Sequence, residues 1–174
     1  MDNADARKAL HETLARNPDR IAPHVLPKVW WLDCGNLKET GRVMLGSAYE
    51  AEQCRGSFLE KKRVIALPSP AMQFPDLLIP ERADVGGRPM SCAELQMANL
   101  QSLNINAGLA VQAADMLTRL LVTRDLKRFG CAVNMASGSV KSSYCTPDEV
   151  ARELGTHREF VIRKEAPART EVAA

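Results

Sequence analysis

The 174-residue sequence has no excess of either charge: 23 basic and 21 acidic side chains leave a formal net charge of +2. That balance argues against nucleic acid or an anionic membrane surface as a partner, since either would select a basic face. No apolar run approaches the roughly 20 residues a membrane helix needs, and no signal peptide opens the chain. A cytoplasmic protein is expected. The five cysteines, Cys34, Cys54, Cys92, Cys131 and Cys145, are odd in number and widely spaced, which suits reduced thiols better than a disulfide framework. There is no Cys-x-x-Cys pair, and His11, His24 and His157 are scattered, so no zinc site is expected. Also missing is any strand followed by a glycine-rich turn and a helix, the arrangement that holds a nucleotide's phosphates.

What is present is enough chain, 45% of it hydrophobic, for one core and by default one domain. Asp2 or Asn3 can cap a helix in which Ala4, Ala6, Ala9, Leu10 and Leu14 form a loosely apolar stripe up to Arg16. Pro18, Pro23 and Pro27 then break the helix and deliver extended backbone into a strand over residues 29–33. That strand is apolar before Asp33-Cys34-Gly35-Asn36, and a second strand opens at Gly41-Arg42-Val43. Apolarity on both faces predicts a parallel α/β sheet, and the small polar residues at the strand's carboxyl end lie where such sheets hold ligands. A tight turn explains Gly35 equally well. Trp30 and Trp31 alternate faces, with core packing expected for at least one.

Residues 47–90 hold five of the ten prolines, together with Gly86-Gly87, and read as a long crossover with one brief strand over 64–67. Its charged cluster Glu60-Lys61-Lys62-Arg63 reads as a solvated face. Ser91-Cys92-Ala93-Glu94 forms a capping box with Cys92 at the first helical position. Leu100, Leu103, Ala107, Val111, Ala114, Leu117 and Leu121 then extend an apolar stripe to about residue 123, with a break allowed at Asn104, Asn106 and Gly108. Residues 130–135 and 140–145, joined through Ser137-Gly138, predict an antiparallel hairpin. Thr146-Pro147-Asp148-Glu149 starts a further helix that Gly155 stops. Residues 163–174 read as a loose tail.

The ordered set of Asp2-Asn3 with Ala6-Arg7, a strand ending in Asp33-x-Gly35-Asn36, Gly41-Arg42-Val43, a proline-rich crossover and a cysteine opening a long helix is similar to the second half of the ThiF/MoeB/HesA superfamily. Those enzymes adenylate ubiquitin-like proteins. Trp31-Leu32-Asp33-Cys34-Gly35-Asn36 and Tyr144-Cys145-Thr146-Pro147-Asp148-Glu149-Val150 resemble, more narrowly, the ThiF family of the PRTRC system. The resemblance covers the chain to about Gly155. It implies an α/β fold: a partial Rossmann-like mixed sheet with a long central helix and a C-terminal β-hairpin, lacking the N-terminal nucleotide-binding half. The expected divisions are 1–46 for the end of that sheet, 47–90 for the crossover, 91–162 for the helix, hairpin and C-terminal helix, and 163–174 for the tail.

For function, the resemblance implies an ATP-dependent adenylyltransferase acting on the C-terminus of a ubiquitin-like protein, inactive as this chain stands. The alternative is a non-catalytic binding or dimerisation module, and a homodimer is expected in either case. ATP and magnesium belong to the parent, with Asp2 and Asn3 as the cofactor-binding residues, because magnesium prefers oxygen ligands. Helix capping is the competing role for Asp2. Cys92 is the implied catalytic thiol, and the helix dipole at its position favours the thiolate independently; no histidine lies nearby in sequence to act as base. Asp33, Gly35 and Asn36 are the candidate substrate-binding residues.

Overall fold

The structure is a computed structural model that describes residues 4–16, 27, 29–36, 39–58, 64–79 and 92–162, without the side chains of 92–102. Helix α1 spans Ala4–Ala15, strand β1 Trp31–Asn36, strand β2 Thr40–Gly46 and the short helix α2 Pro70–Gln73. Helix α3 spans Cys92–Thr118 and runs into a π-helical turn, Arg119–Thr123. Strands β3 (Arg128–Asn134) and β4 (Ser139–Tyr144) and helices α4 (Pro147–Glu153) and α5 (Arg158–Val161) follow. No helix among the described residues is long and apolar enough to cross a membrane.

The four strands form one sheet in the order β1-β2-β3-β4, antiparallel at every step. This corrects the expected parallel environment of β1 and the expected mixed sheet. The apolarity of β1 has a different origin, because its first residues are covered on both faces of the antiparallel sheet. Leu32 joins Val43, Leu45, Cys131 and Val133 beneath Ile105, Leu109 and Met116 of α3. Trp31 turns the other way, against Leu14 of α1 and Ala71 of α2. With successive side chains on opposite faces, a strand buried on two sides shows no polar alternation whichever way its neighbour runs. Gly35 is also reassigned: it lies inside β1, opposite Arg42, rather than in a turn.

The described residues of the expected crossover, 47–58 and 64–79, are packed. Ile65, Ala66, Leu67, Ser69 and Ala71 are buried, and 3-10 turns occupy Ala51–Cys54 and Pro75–Leu78. The strand expected over 64–67 reduces to isolated bridges, Phe58 with Val64 and Ala48 with Pro68. Gly46 permits this packing, since a Cβ there would stand 1.8 Å from the Pro68 carbonyl oxygen. Gln73 locks α2 onto the sheet end, its Nε2 donating to the carbonyls of Pro68 at 2.8 Å and Leu45 at 3.1 Å. The cluster at 60–63, Gly86-Gly87, Ser91 and the tail lie outside the described residues.

Helix α3 passes through Asn104, Asn106 and Gly108 without a break, because Ile105 and Leu109 hold that stretch on the sheet. The hairpin β3–β4 and the start of α4 follow expectation. Thr146 Oγ1 accepts from the Glu149 N–H at 3.3 Å, while the Glu149 carboxylate turns back to the Tyr144 N–H. Gly155, at φ 62, ends the helix in the left-handed region that favours glycine.

Candidate functional site

The antiparallel register aligns side chains that are far apart in sequence. Gly35 pairs with Arg42, Arg42 with Ala132, and Ala132 with Lys141, so the four form one row across the sheet on a single face. Two residues along, Thr40, Asn134 and Ser139 make a parallel row on that face. Two cations thus stand two strands apart, roughly 10 Å at the backbone. Between and beside them sit only a glycine and an alanine.

This face is the floor of a cleft of about 900 Å³. Helix α1 forms one wall through Ala4, Asp5 and Arg7, and Phe74, Asp76, Leu77 and Ile79 form another. The Arg42 guanidinium lies 3.7 Å from the centre of the Phe74 ring, a contact that fixes its plane without neutralising its charge. Lys141 is exposed. Its charge reaches Glu153, whose carboxyl is pushed up chiefly by burial, with Arg152 and Lys141 opposing. The Asn134 side chain accepts from the Ser137 N–H at 3.1 Å, and the hydroxyls of Ser137 and Ser139 lie 2.8 Å apart, which orders the hairpin tip at the cleft rim.

Of the residues expected to bind substrate, Gly35 and Asn36 line this cleft. Asp33 does not. Its carboxylate takes two hydrogen bonds from Arg7, from Nε at 2.9 Å and Nη2 at 3.0 Å, a bidentate pair that ties α1 to β1. Cys92 is the first residue of α3, as expected, and its side chain lies outside the description. Asp2 and Asn3 are likewise outside the described residues.

The cleft walls carry Asp5, Asp76 and Arg7, while its floor presents the Arg42 guanidinium and the Lys141 ammonium beside amides and hydroxyls, and that floor fits an anionic group. Magnesium needs oxygen ligands, Asp33 is already engaged by Arg7, and the described residues hold no group of three or more His, Cys, Asp or Glu side chains placed for a metal. No step through ATP is therefore assigned to these residues.

Three of the other thiols, Cys34, Cys131 and Cys145, are shifted toward the neutral form. Burial raises Cys34, with the Asp33 charge adding to it. Burial raises Cys131 against the opposing influence of Arg128. Burial and the Glu149 charge push Cys145 up to about 12. Cys145 borders a second cavity of about 750 Å³, beside Trp30, Leu120, Leu126 and Tyr144; of the expected site residues whose side chains are described, Asp33, Gly35 and Asn36, none lines it.

Sequence reasoning quoted Arg42 within a motif without giving it a role, and passed over Lys141 and Phe74. Only the strand pairing puts Arg42 and Lys141 on one face. A hairpin read from sequence predicts that β3 and β4 pair, but not that β2 lies on the far side of β3. Comparison of the chain with protein-family models, with curated proteins and with solved structures finds no match.

Proposed function

We propose that this chain is the substrate-receiving half of a ThiF-like ATP-dependent adenylyltransferase, a binding module that takes up the extended C-terminus of a small ubiquitin-like protein and does not itself carry out the transfer. On this reading the Rossmann-like nucleotide-binding part, with ATP and magnesium, is supplied from outside these residues. The cytoplasm is the proposed compartment, consistent with the free thiols Cys34, Cys131 and Cys145.

The observation that carries the proposal is the row Gly35, Arg42, Ala132, Lys141 on the floor of an open cleft. A chain terminus is thin enough to lie over glycine and alanine, and its carboxylate is the one group every such terminus shares. Arg42 offers a planar fork and Lys141 a point charge, the two complementary ways of holding a carboxylate. Apolar side chains of the bound segment meet Phe74, Leu77 and Ile79. Cys92, at the helix start, is the proposed acceptor thiol of the parent enzyme, favoured there as thiolate by the helix dipole.

The test is fluorescence anisotropy with a short unstructured peptide, prepared once as the free acid and once as the C-terminal amide. The free acid binds better, and Arg42→Met or Lys141→Met each weakens it by about tenfold or more, as loss of a hydrogen bond to a charged group implies. Equal binding of acid and amide refutes the carboxylate role. On this reading the protein alone gives no ATP–pyrophosphate exchange, because its sequence has no glycine-rich turn between strand and helix to hold the phosphates. Robust exchange with ATP and a ubiquitin-like protein would overturn the non-catalytic assignment.

A further inference from the structure

The second cavity, of about 750 Å³, opens where α3 ends, between the two larger core clusters. Trp30 and Leu126 pack against both clusters, and Val64 and Leu120 extend the apolar lining. Trp30 Nε1 donates to the Pro27 carbonyl at 3.1 Å, so the indole leaves the cavity no unsatisfied donor. Apolar walls with a few polar groups, at a volume of hundreds of cubic ångströms, are the usual form of a small-molecule site.

The polar groups here are unevenly charged. Arg119 donates to Asp115 at 3.0 Å and to Asp125 at 2.8 Å, and Arg128 donates to Asp115 at 2.8 Å. Those two cations and two carboxylates match. Arg124 and Lys127 also line the cavity, and among the described residues neither side chain has a hydrogen bond or an ion pair. Lys127 acts on Asp125 through its charge alone. The carboxyl end of α3 carries a partial negative charge of about half a unit, which two full positive charges outweigh.

Arg124 keeps its place at a backbone cost. With φ 55 and ψ 34 it ends the π-helical turn, and it is the one non-glycine residue at positive φ among the described residues. Glycine would stop the helix there with less strain. A π turn recurs at functional sites, and a side chain held against its backbone preference points to a use for that side chain. Here the use is a positive head on an apolar cavity. We infer that the second cavity binds an aliphatic carboxylate, its hydrocarbon body against Trp30, Val64, Leu120 and Leu126 and its head on Arg124 and Lys127. The guanidinium holds a carboxylate by two parallel hydrogen bonds, and the ammonium adds a point charge. The inference does not depend on the cleft or on its ligand.

Calorimetric titration of the full chain with octanoate, octanamide and acetate tests it, together with the indole N–H resonance of Trp30. Octanoate binds and shifts that resonance. Octanamide, which keeps the body and loses the charge, binds about tenfold or more weakly, and acetate, which loses the body, weaker still. Arg124→Gly weakens octanoate about tenfold or more while its Tm equals or exceeds that of the wild type, and Arg124→Lys binds better than Arg124→Gly. Absence of octanoate binding, including a cavity filled by the chain's own residues, overturns the inference. So does octanamide binding as well as octanoate, an unmoved Trp30 resonance, unchanged binding by Arg124→Gly, or a lowered Tm for that variant, which would make Arg124 structural.

Discussion

Replacing Asp33 by alanine removes one partner of a largely buried ion pair and leaves the other in place. The side chains of Arg7 and Asp33 are 13% and 8% exposed, and their two hydrogen bonds span α1 and β1. Water cannot fully resolvate the guanidinium where it lies, so Asp33→Ala costs about 3 kcal/mol, the lower end for breaking a buried pair. With a urea m-value of about 2 kcal/mol/M, that lowers the unfolding midpoint by about 1.5 M. The joint replacement Arg7→Met with Asp33→Leu is less destabilising than Asp33→Ala alone, because the buried guanidinium is then removed together with the Asp33 carboxylate. Equilibrium urea unfolding followed by circular dichroism measures all three proteins. A midpoint for Asp33→Ala within about 0.3 M of the wild type, under about 0.6 kcal/mol, would refute a structural role for the pair and reopen Asp33 as a ligand contact.

Two further outcomes concern titrating side chains. His11 lies against Tyr49, with ring centres 4.4 Å apart; its Nδ1 is buried without a hydrogen-bond partner, and burial holds its pKa below the ordinary 6.5. The unfolded chain therefore takes up the proton first, so stability is full above pH 6.5 and declines as the pH falls below it; urea midpoints at pH 7.5 and pH 5.5 compared with His11→Phe check this, and an unchanged difference between the two proteins contradicts it. Limiting iodoacetamide at pH 8 labels Cys92 first and exposed Cys34 more slowly, and reaches Cys54 and Cys145 only on denaturation. Labelling of Cys92 no faster than that of buried Cys54 removes it as the acceptor thiol.

Local signals were legible where the chain's own chemistry decides them. The Thr146 capping box, the Gly155 stop and the β3–β4 hairpin follow from side chains a few residues apart. The long helix was legible for the same reason, although its asparagines suggested a break that packing on the sheet prevents. The direction of β1 was not. Trp31 and Leu32 are apolar because helices cover both sheet faces, and that pattern is identical for parallel and antiparallel neighbours. The cleft was half legible. Gly35 and Asn36 stood out as small polar residues at a strand end, but Asp33 stood out with them, and only tertiary contact shows that Arg7 claims it. Lys141 and Arg42 are 99 residues apart in numbering and share a face only through β3.

Backbone amide shifts during titration with a free-acid peptide test the central claim, that the sheet floor receives an anionic chain end. The account predicts saturable shifts at Gly35, Arg42, Ala132 and Lys141 that the C-terminal amide does not reproduce and that Lys141→Met weakens. Shifts confined to the second cavity near Trp30 and Cys145, or identical for acid and amide, would contradict it.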